Sequence, residues 1–282
     1  MDEKWTFVMK SKTEWFDLHL KEVIQYRDLI WLFVKRNFTT MYKQTILGPM
    51  WLILVPLINT IISTFVFGTI AKIPSDGVPY FMFYMCGYMP WSYFSTCVTT
   101  TSSTFVSNAN VFGKVYFPRL TVPISVVITN LLNFCIQLFM FSLFWIYYYL
   151  NGVKLHFNIF ALIIIPVLVI MIALLGIGVG IIISSLTTKY RDLNVVVNFG
   201  VSLWMYITPV IYSSSTLGST KLKNLVMLNP MAPIVESFRA LLLGTSDIQW
   251  KYLGISVCLT FVVLFLGVVL FSKVEKTFMD TV

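Results

Sequence analysis

Charge is what this sequence has least of. Only 11% of its 282 residues are Asp, Glu, Lys or Arg, against 57% apolar and 16% aromatic, and the mean hydropathy is +0.82. A soluble globular chain carries about 25% charged residues, so an ordinary water-soluble domain is excluded. Histidine is down to two residues, His19 and His156, too far apart in sequence to suggest a metal site. The four cysteines, Cys86, Cys97, Cys135 and Cys258, all lie in apolar runs without a Cys-x-x-Cys pair. They read as small apolar fillers, and zinc chemistry is not expected. A phosphate-cradling loop is missing too: Gly113-Lys114 is followed by Val115, and Asn108 stands where the first glycine of such a loop belongs. The first 43 residues carry 8 basic and 6 acidic side chains, unlike a secretory leader, so the amino terminus is expected to be retained.

Six stretches contain no charge at all. They run for 28 residues between Lys43 and Lys72, 37 between Asp76 and Lys114, and 34 between Arg119 and Lys154. The others are 34 between Lys154 and Lys189, 28 between Asp192 and Lys221, and 21 between Lys251 and Lys273. About 20 apolar residues cross a bilayer as a helix, so each stretch is long enough to span. The runs are continuously apolar rather than alternating, which excludes a transmembrane barrel. The chain therefore reads as an all-α polytopic membrane protein. Six transmembrane helices are expected near 51–71, 80–106, 120–150, 158–187, 193–212 and 252–272, within a membrane domain of residues 44–282 that follows a cytoplasmic segment of residues 1–43.

Basic residues are retained on the cytoplasmic side of a membrane. With both termini inside, that side holds 14 Lys and Arg and the outside holds six; the reverse orientation inverts the bias. Both termini are expected in the cytoplasm. The net charge of +8 does not point to nucleic acid, because the basic residues are scattered along membrane boundaries, where they meet lipid headgroups.

Within this frame four patterns stand out. Val23, Tyr26, Leu29, Ile30, Phe33 and Val34 recur at helical spacing in residues 15–43, which predicts an amphipathic helix along the inner membrane surface. It is either a simple anchor or a docking surface. Residues 213–251 hold an uncharged piece of 12 residues between Lys223 and Glu236, too short to span and suited to a pair of short re-entrant helices before the last span. Glu236 and Arg239, three apart, can pair on one face near the headgroups. In the second span Ser92, Ser95, Thr96, Thr99, Ser102 and Ser103 share a broad face, and in the third Thr129, Asn130, Asn133 and Gln137 form a stripe. Amides facing lipid tails are costly, so the stripe faces protein or water. It either bonds helices together or walls a conduit for something rich in hydroxyls. Gly176, Gly180 and Ser184 make a small-residue packing ridge in the fourth span.

No charge falls inside any expected span, which disfavours ion-coupled transport, and no intramembrane His, Asp or Ser/His pair suggests an embedded hydrolase. If the chain transports actively, another subunit must supply the energy.

Here the sequence resembles the membrane subunit of type-2 ATP-binding-cassette exporters for cell-surface polysaccharides. The resemblance runs from about Arg27 to the end. It is carried by Arg27-Asp28-Leu29 through Lys35-Arg36, and by Tyr42-Lys43-Gln44-Thr45-Ile46-Leu47-Gly48-Pro49-Met50-Trp51 with Pro56. Asn108, Gly113-Lys114-Val115-Tyr116-Phe117-Pro118-Arg119 and Pro123 follow, then Tyr190-Arg191-Asp192-Leu193, Thr208-Pro209-Val210-Ile211-Tyr212, Asn229-Pro230 and Phe238-Arg239. Two positions depart from the pattern: Asn37 replaces a common acid and Thr208 a common Ser. The resemblance implies a homodimer bound to two copies of a separate cytoplasmic ATPase, which would hold the ATP and Mg; this chain needs no cofactor of its own. It also implies lipid-linked polysaccharide as cargo, the O-antigen branch ranking above teichoic acid, and an inner-membrane location. A drug or small-lipid exporter of the same fold and a passive channel are the alternatives.

Two groups of site residues follow. Energy coupling to the ATPase is expected at Arg36, Asn108, Phe112, Lys114, Phe117, Arg119, Arg191 and Asp192, with Phe112 and Phe117 plugging into a partner groove. The conduit is expected along Tyr88, Trp91, Tyr93, Phe94, Ser95, Thr99, Asn130, Asn133 and Gln137. Aromatic rings there would stack on sugar faces while amides and hydroxyls meet sugar hydroxyls.

Overall fold

In the computed structural model, residues 20–43, 46–115, 117–187, 190 and 192–277 are described. They form helices α1 (Leu20–Gln25), α2 (Arg27–Tyr42), α3 (Trp51–Ser63), α4 (Tyr80–Ser102), α5 (Thr104–Phe112) and α6 (Thr121–Leu150). These are followed by α7 (Ala161–Thr187), α8 (Leu193–Ile207), α9 (Thr220–Met227), α10 (Met231–Leu242) and α11 (Trp250–Thr277), with no strand among the described residues. A π-helical stretch, Thr64–Ile70, carries α3 onward to the turn before α4.

Among the described residues, four elements are long and apolar enough to cross a membrane: Gly48–Ile70, Thr121–Leu150, Ala161–Thr187 and Trp250–Val274. The pair α9 and α10, bent by 98°, makes a fifth if taken together. This differs from the six expected spans, and the reasons are physical. Helix α8 has 15 residues, short of the roughly 20 needed to cross. Helix α4 has the length, 23 residues, but it is rich in hydroxyls. Most of its side chains are buried within the protein, and a helix sheathed by its neighbours needs no lipid-like surface.

Helix α4 is central, packed against α6, α7, α8 and α10. Close approach of α7 depends on its glycines. A Cβ on Gly176 would sit 2.8 Å from Cys97 Cβ, and one on Gly180 2.6 Å from Thr101 Cβ. The other side of α7 fits α11 in the same way, since a Cβ on Gly178 would sit 3.0 Å from the Leu264 backbone. The small-residue ridge is therefore two-sided, and Ser184 at its end is fully buried.

The two ends of the bundle have separate cores. At one end Val23 and Phe33 of the amino-terminal helices meet Phe105, Phe112, Phe117, Ile181 and Phe271, so the first described helices and the end of α11 lie together. The apolar stripe expected to lie on lipid thus packs on protein: Val23, Phe33 and Val34 are buried, while Ile24, Trp31 and Leu32 face out.

At the other end α10 is buried along its whole length. Its Arg239 is fully buried within the protein. The guanidinium donates through Nη1 to the carbonyls of Pro209 (2.6 Å) and Tyr212 (3.1 Å), and through Nη2 to that of Val210 (2.6 Å). It stacks 3.7 Å from the Phe83 ring centre. The expected pair with Glu236 forms at 3.5 Å, and the same carboxylate oxygen accepts from the Ser214 amide at 3.0 Å. Asn229 ties α8 to the bent pair, accepting from Trp204 Nε1 (3.1 Å) and donating to Thr208 Oγ1 (2.8 Å). A serine at position 208 would offer the same oxygen, which explains why Thr208 is tolerated there.

Replacing Gly180 with leucine forces a side chain into Thr101 and should cost about 1–3 kcal/mol by overpacking. Gly254, in open space on α11, should accept alanine with no loss. Thermal unfolding in detergent checks both; equal midpoints for the two variants would mean that the α4–α7 contact is not close.

Candidate functional site

The hydroxyl face of α4 and the amide stripe of α6 face one another. A cavity of about 160 Å³ lies between them and α3, lined by Trp51, Pro56, Tyr88, Ser92, Tyr93, Thr96, Asn130, Asn133, Phe134 and Gln137 among others. A larger one of about 370 Å³ lies toward the end that holds α2 and α5, lined by Arg36, Asn37, Thr40, Thr100, Ser103, Thr104, Ser107, Asn108, Thr129 and Asn130 among others. Asn130 lines both. Both follow the contact of α4 with α6 and make a polar seam in two parts.

The polar groups of the seam are only partly engaged. Gln137 donates through Nε2 to Ser92 Oγ at 3.4 Å, while its buried Oε1 has no hydrogen-bond partner among the described residues. Asn130 Nδ2 finds only the Cys97 sulfur among the described residues, at 3.8 Å. Tyr88 accepts from Asn59 Nδ2 at 3.0 Å and stacks on Tyr84 with ring centres 5.5 Å apart. Tyr93 donates to the Val127 carbonyl at 3.3 Å. A helix pair glued by hydrogen bonds pairs its amides well; weak or missing partners leave these groups able to meet water or a ligand.

Of the expected conduit residues, Tyr88, Tyr93, Asn130, Asn133 and Gln137 come together on the first cavity. Four do not line either cavity. Trp91 and Phe94 are core residues, 3% and 0% exposed, packed edge-on against Trp204 at 6.3 and 5.2 Å. The Thr99 hydroxyl is satisfied within its own helix, donating to the Ser95 carbonyl at 2.9 Å. The cavity-lining side of α4 runs instead through Ser92, Thr96 and Thr100, continued by Ser103 just past its end. A broad hydroxyl face cannot show from composition alone which edge turns inward.

Sequence reasoning overlooked Asn59 and Trp51. Asn59 is the one amide in the expected first span, and a lone intramembrane amide is a signal in its own right.

The expected coupling residues divide three ways. Arg36 and Asn108 line the second cavity. Lys114 and Asp192 are exposed in turns. Phe112 and Phe117 do not project outward; they are buried, 4% exposed each, with ring centres 5.6 Å apart. Arg119 is buried with its guanidinium 5.5 Å from the Phe112 ring centre. These three brace the segment from within, so they cannot plug into a groove in this conformation. Arg191 lies outside the described residues.

The sequence profile of the ABC-2 type transporter family matches residues 28–243. This chain belongs to that family. It is similar to the O-antigen export system permease protein RfbA of Klebsiella pneumoniae, 26% identical over 254 residues that cover 90% of this chain and 94% of the relative. It is also similar to the O-antigen export system permease protein RfbA of Myxococcus xanthus, 29% identical over 223 residues, or 79% of this chain and 83% of the relative. The matched region takes in the seam, the bent pair and α2. An ABC-2 permease is a multi-pass transport subunit that works with an ATP-binding-cassette ATPase.

Water access to the seam is directly testable. In a background with the four native cysteines replaced, Thr96→Cys and Asn133→Cys should react with a charged methanethiosulfonate, because the thiolate forms only where water reaches. Phe94→Cys should stay protected. Protection of all three would mean that the seam is dry.

Proposed function

We propose that this chain is the membrane permease subunit of an ATP-driven exporter that moves lipid-linked, O-antigen-like polysaccharide across the bacterial inner membrane. Two copies would associate with two copies of a cytoplasmic ATPase, which holds ATP and Mg and does the hydrolysis, with both termini of this chain in the cytoplasm. The 14-to-6 distribution of basic residues supports that orientation.

The observation that carries the cargo class is the seam: neutral amides, hydroxyls and tyrosines without a charge along its inner part. Sugars offer hydroxyls and apolar ring faces, and they are met by amide and hydroxyl groups with aromatic faces. A polymer must also be released at every step, so contacts need to be numerous and weak. The relatives named as O-antigen export permeases support the same class. A drug exporter is less well served, since an apolar cargo gains little from Asn130, Asn133 and Gln137.

The test is a Tyr88→Ala, Gln137→Leu double variant in cells lacking the native copy. Surface polysaccharide should fall several-fold, while the amount of permease and of co-purifying ATPase stays normal. Gln137→Leu alone should not lower thermal stability, because it removes a buried acceptor with no partner, a group worth about 1–3 kcal/mol of penalty when left unpaired. Normal surface polymer in the double variant would move the conduit elsewhere. Trp91 does not belong in the test, since truncating a core tryptophan costs about 3–5 kcal/mol.

A further inference from the structure

We propose that residues 71–79 form a releasable strap across the α10 end of the seam, latched by Asp76 to Ser215, which lifts before cargo can leave. The inference rests on the export reading above, which turns this end outward, and adds the element that controls it.

The seam is shut at this end. Beyond the inner cavity the buried Tyr84 stacks on Tyr88, with ring centres 5.5 Å apart. One helical turn further along α4, Tyr80 donates to the Ile211 carbonyl at 2.6 Å. The stretch 208–216 therefore lies against the end of α4, and three side chains hold it there. Arg239 and Tyr80 do so from within the protein, where both are buried. Asp76 does so from the strap, accepting from Ser215 Oγ at 3.0 Å. That contact lies at the surface, with Ser215 exposed and Asp76 half-buried. Breaking a buried hydrogen bond strands its partners, whereas a surface bond exchanges with water at small cost. The latch is thus where this end opens first.

The strap is built to present that latch. Its root closes the π-helical stretch, where the Ala71 and Ile73 amides donate to the Val66 and Phe67 carbonyls, each at 2.9 Å. Lys72 between them has a φ of 50°, a left-handed conformation that disfavours a residue with a side chain. Such strain persists only while surrounding contacts hold the chain in place. The tip is a tight turn: the Val78 amide donates to the Ser75 carbonyl at 3.2 Å, and the Ser75 hydroxyl to the Val78 carbonyl at 2.6 Å. Asp76 and Gly77 occupy its centre with φ of 51° and 85°, positive angles that Asp-Gly adopts readily. On the facing side Ser213 Oγ lies 2.9 Å from Ser215 Oγ and accepts from the Ser215 amide at 3.3 Å, which fixes the hydroxyl that Asp76 receives. A rigid tip carrying a carboxylate so meets an aligned hydroxyl through a charge-assisted bond. Strain at the root and a single surface bond at the tip make a strap that rests closed and lifts readily.

The test uses the full-length chain with its ATPase, in the background with the four native cysteines replaced. Asp76→Cys with Ser215→Cys should be joined by a short bis-methanethiosulfonate. Surface polysaccharide should then fall several-fold and recover on reduction, while each single variant, treated alike, exports normally. A joined pair that exports normally would overturn the strap, and a pair that does not join would overturn the latch. A second measurement needs no transport. In the purified complex Val210→Cys, at a buried position of the latched stretch, should react with a charged methanethiosulfonate about fivefold faster once Asp76→Ala is added, the shift expected for one lost hydrogen bond. Asp76→Asn should fall between, keeping the acceptor but not the charge. Equal rates with and without Asp76→Ala would overturn the proposal. Labelling is read without export, so a failed seam test leaves it standing, and unchanged labelling leaves the surface-polymer result for Tyr88 and Gln137 standing.

Discussion

The fold depends on letting α4, a helix too polar for lipid, sit where lipid never touches it. That position exists because α7 has no side chain at Gly176 and Gly180, so the two backbones approach until Cys97 and Thr101 fill the gap. Gly178 admits α11 on the opposite side, and α7 is thus clasped from both directions. Dispersion and close packing, rather than expulsion of apolar surface, hold helices together in a bilayer. Small residues on α7 are therefore what secure the sheath around α4. Once α4 is enclosed, its hydroxyl edge meets the amide stripe of α6 and, at its end, the polar residues of α2. The seam is the consequence of that enclosure.

The end of the bundle that holds α10 obeys a different rule. After α8 the chain runs through residues 208–212 without regular structure, and its carbonyls would be stranded in a region of low polarity. Arg239 gathers three of them, those of Pro209, Val210 and Tyr212. Burying a guanidinium is costly, and the Glu236 contact at 3.5 Å is too long to offset that alone. The carbonyl fork, the Phe83 ring and the Glu236 charge share the task. Gly87 belongs to the same arrangement: a Cβ there would meet Arg239 Nη2 at 2.8 Å. Arg239 and Asn229 together join α4, the end of α8 and the bent pair into one unit, so this end of the seam is braced by hydrogen bonds rather than by lipid.

Much of this was legible in the sequence, unevenly. Charge-free runs marked the long helices because lipid imposes a length and a hydropathy that any residue order must meet. The amide stripe on α6 and the glycine ridge on α7 were legible because their spacing fixes a face. Trp91 and Phe94 were misplaced for a definite reason: tyrosine, tryptophan and phenylalanine serve equally at an interface, in a core or beside a sugar, and only the packing of Trp204 against both rings separates those roles. Phe112 and Phe117 were misjudged likewise, since a short segment beginning near Asn108 and ending at Pro118 gives no hint that Phe33, distant in sequence, covers Phe117 with ring centres 5.6 Å apart. The burial of Arg239 was hidden too, because a basic residue near an expected headgroup region reads as a surface anchor.

Charge is distributed unevenly along the seam. The inner cavity is lined by neutral donors and acceptors, Asn130, Asn133, Gln137 and the α4 hydroxyls among them. The crevice at the other end has the only cation among the residues lining either cavity. A charge placed beside Arg36 would find no comparable contact along the inner cavity, whose lining is neutral. Helix α2, which carries Arg36, packs on α6, while the α4–α7 contact rests on Gly176 and Gly180, so the crevice depends on an element outside the glycine-clasped core.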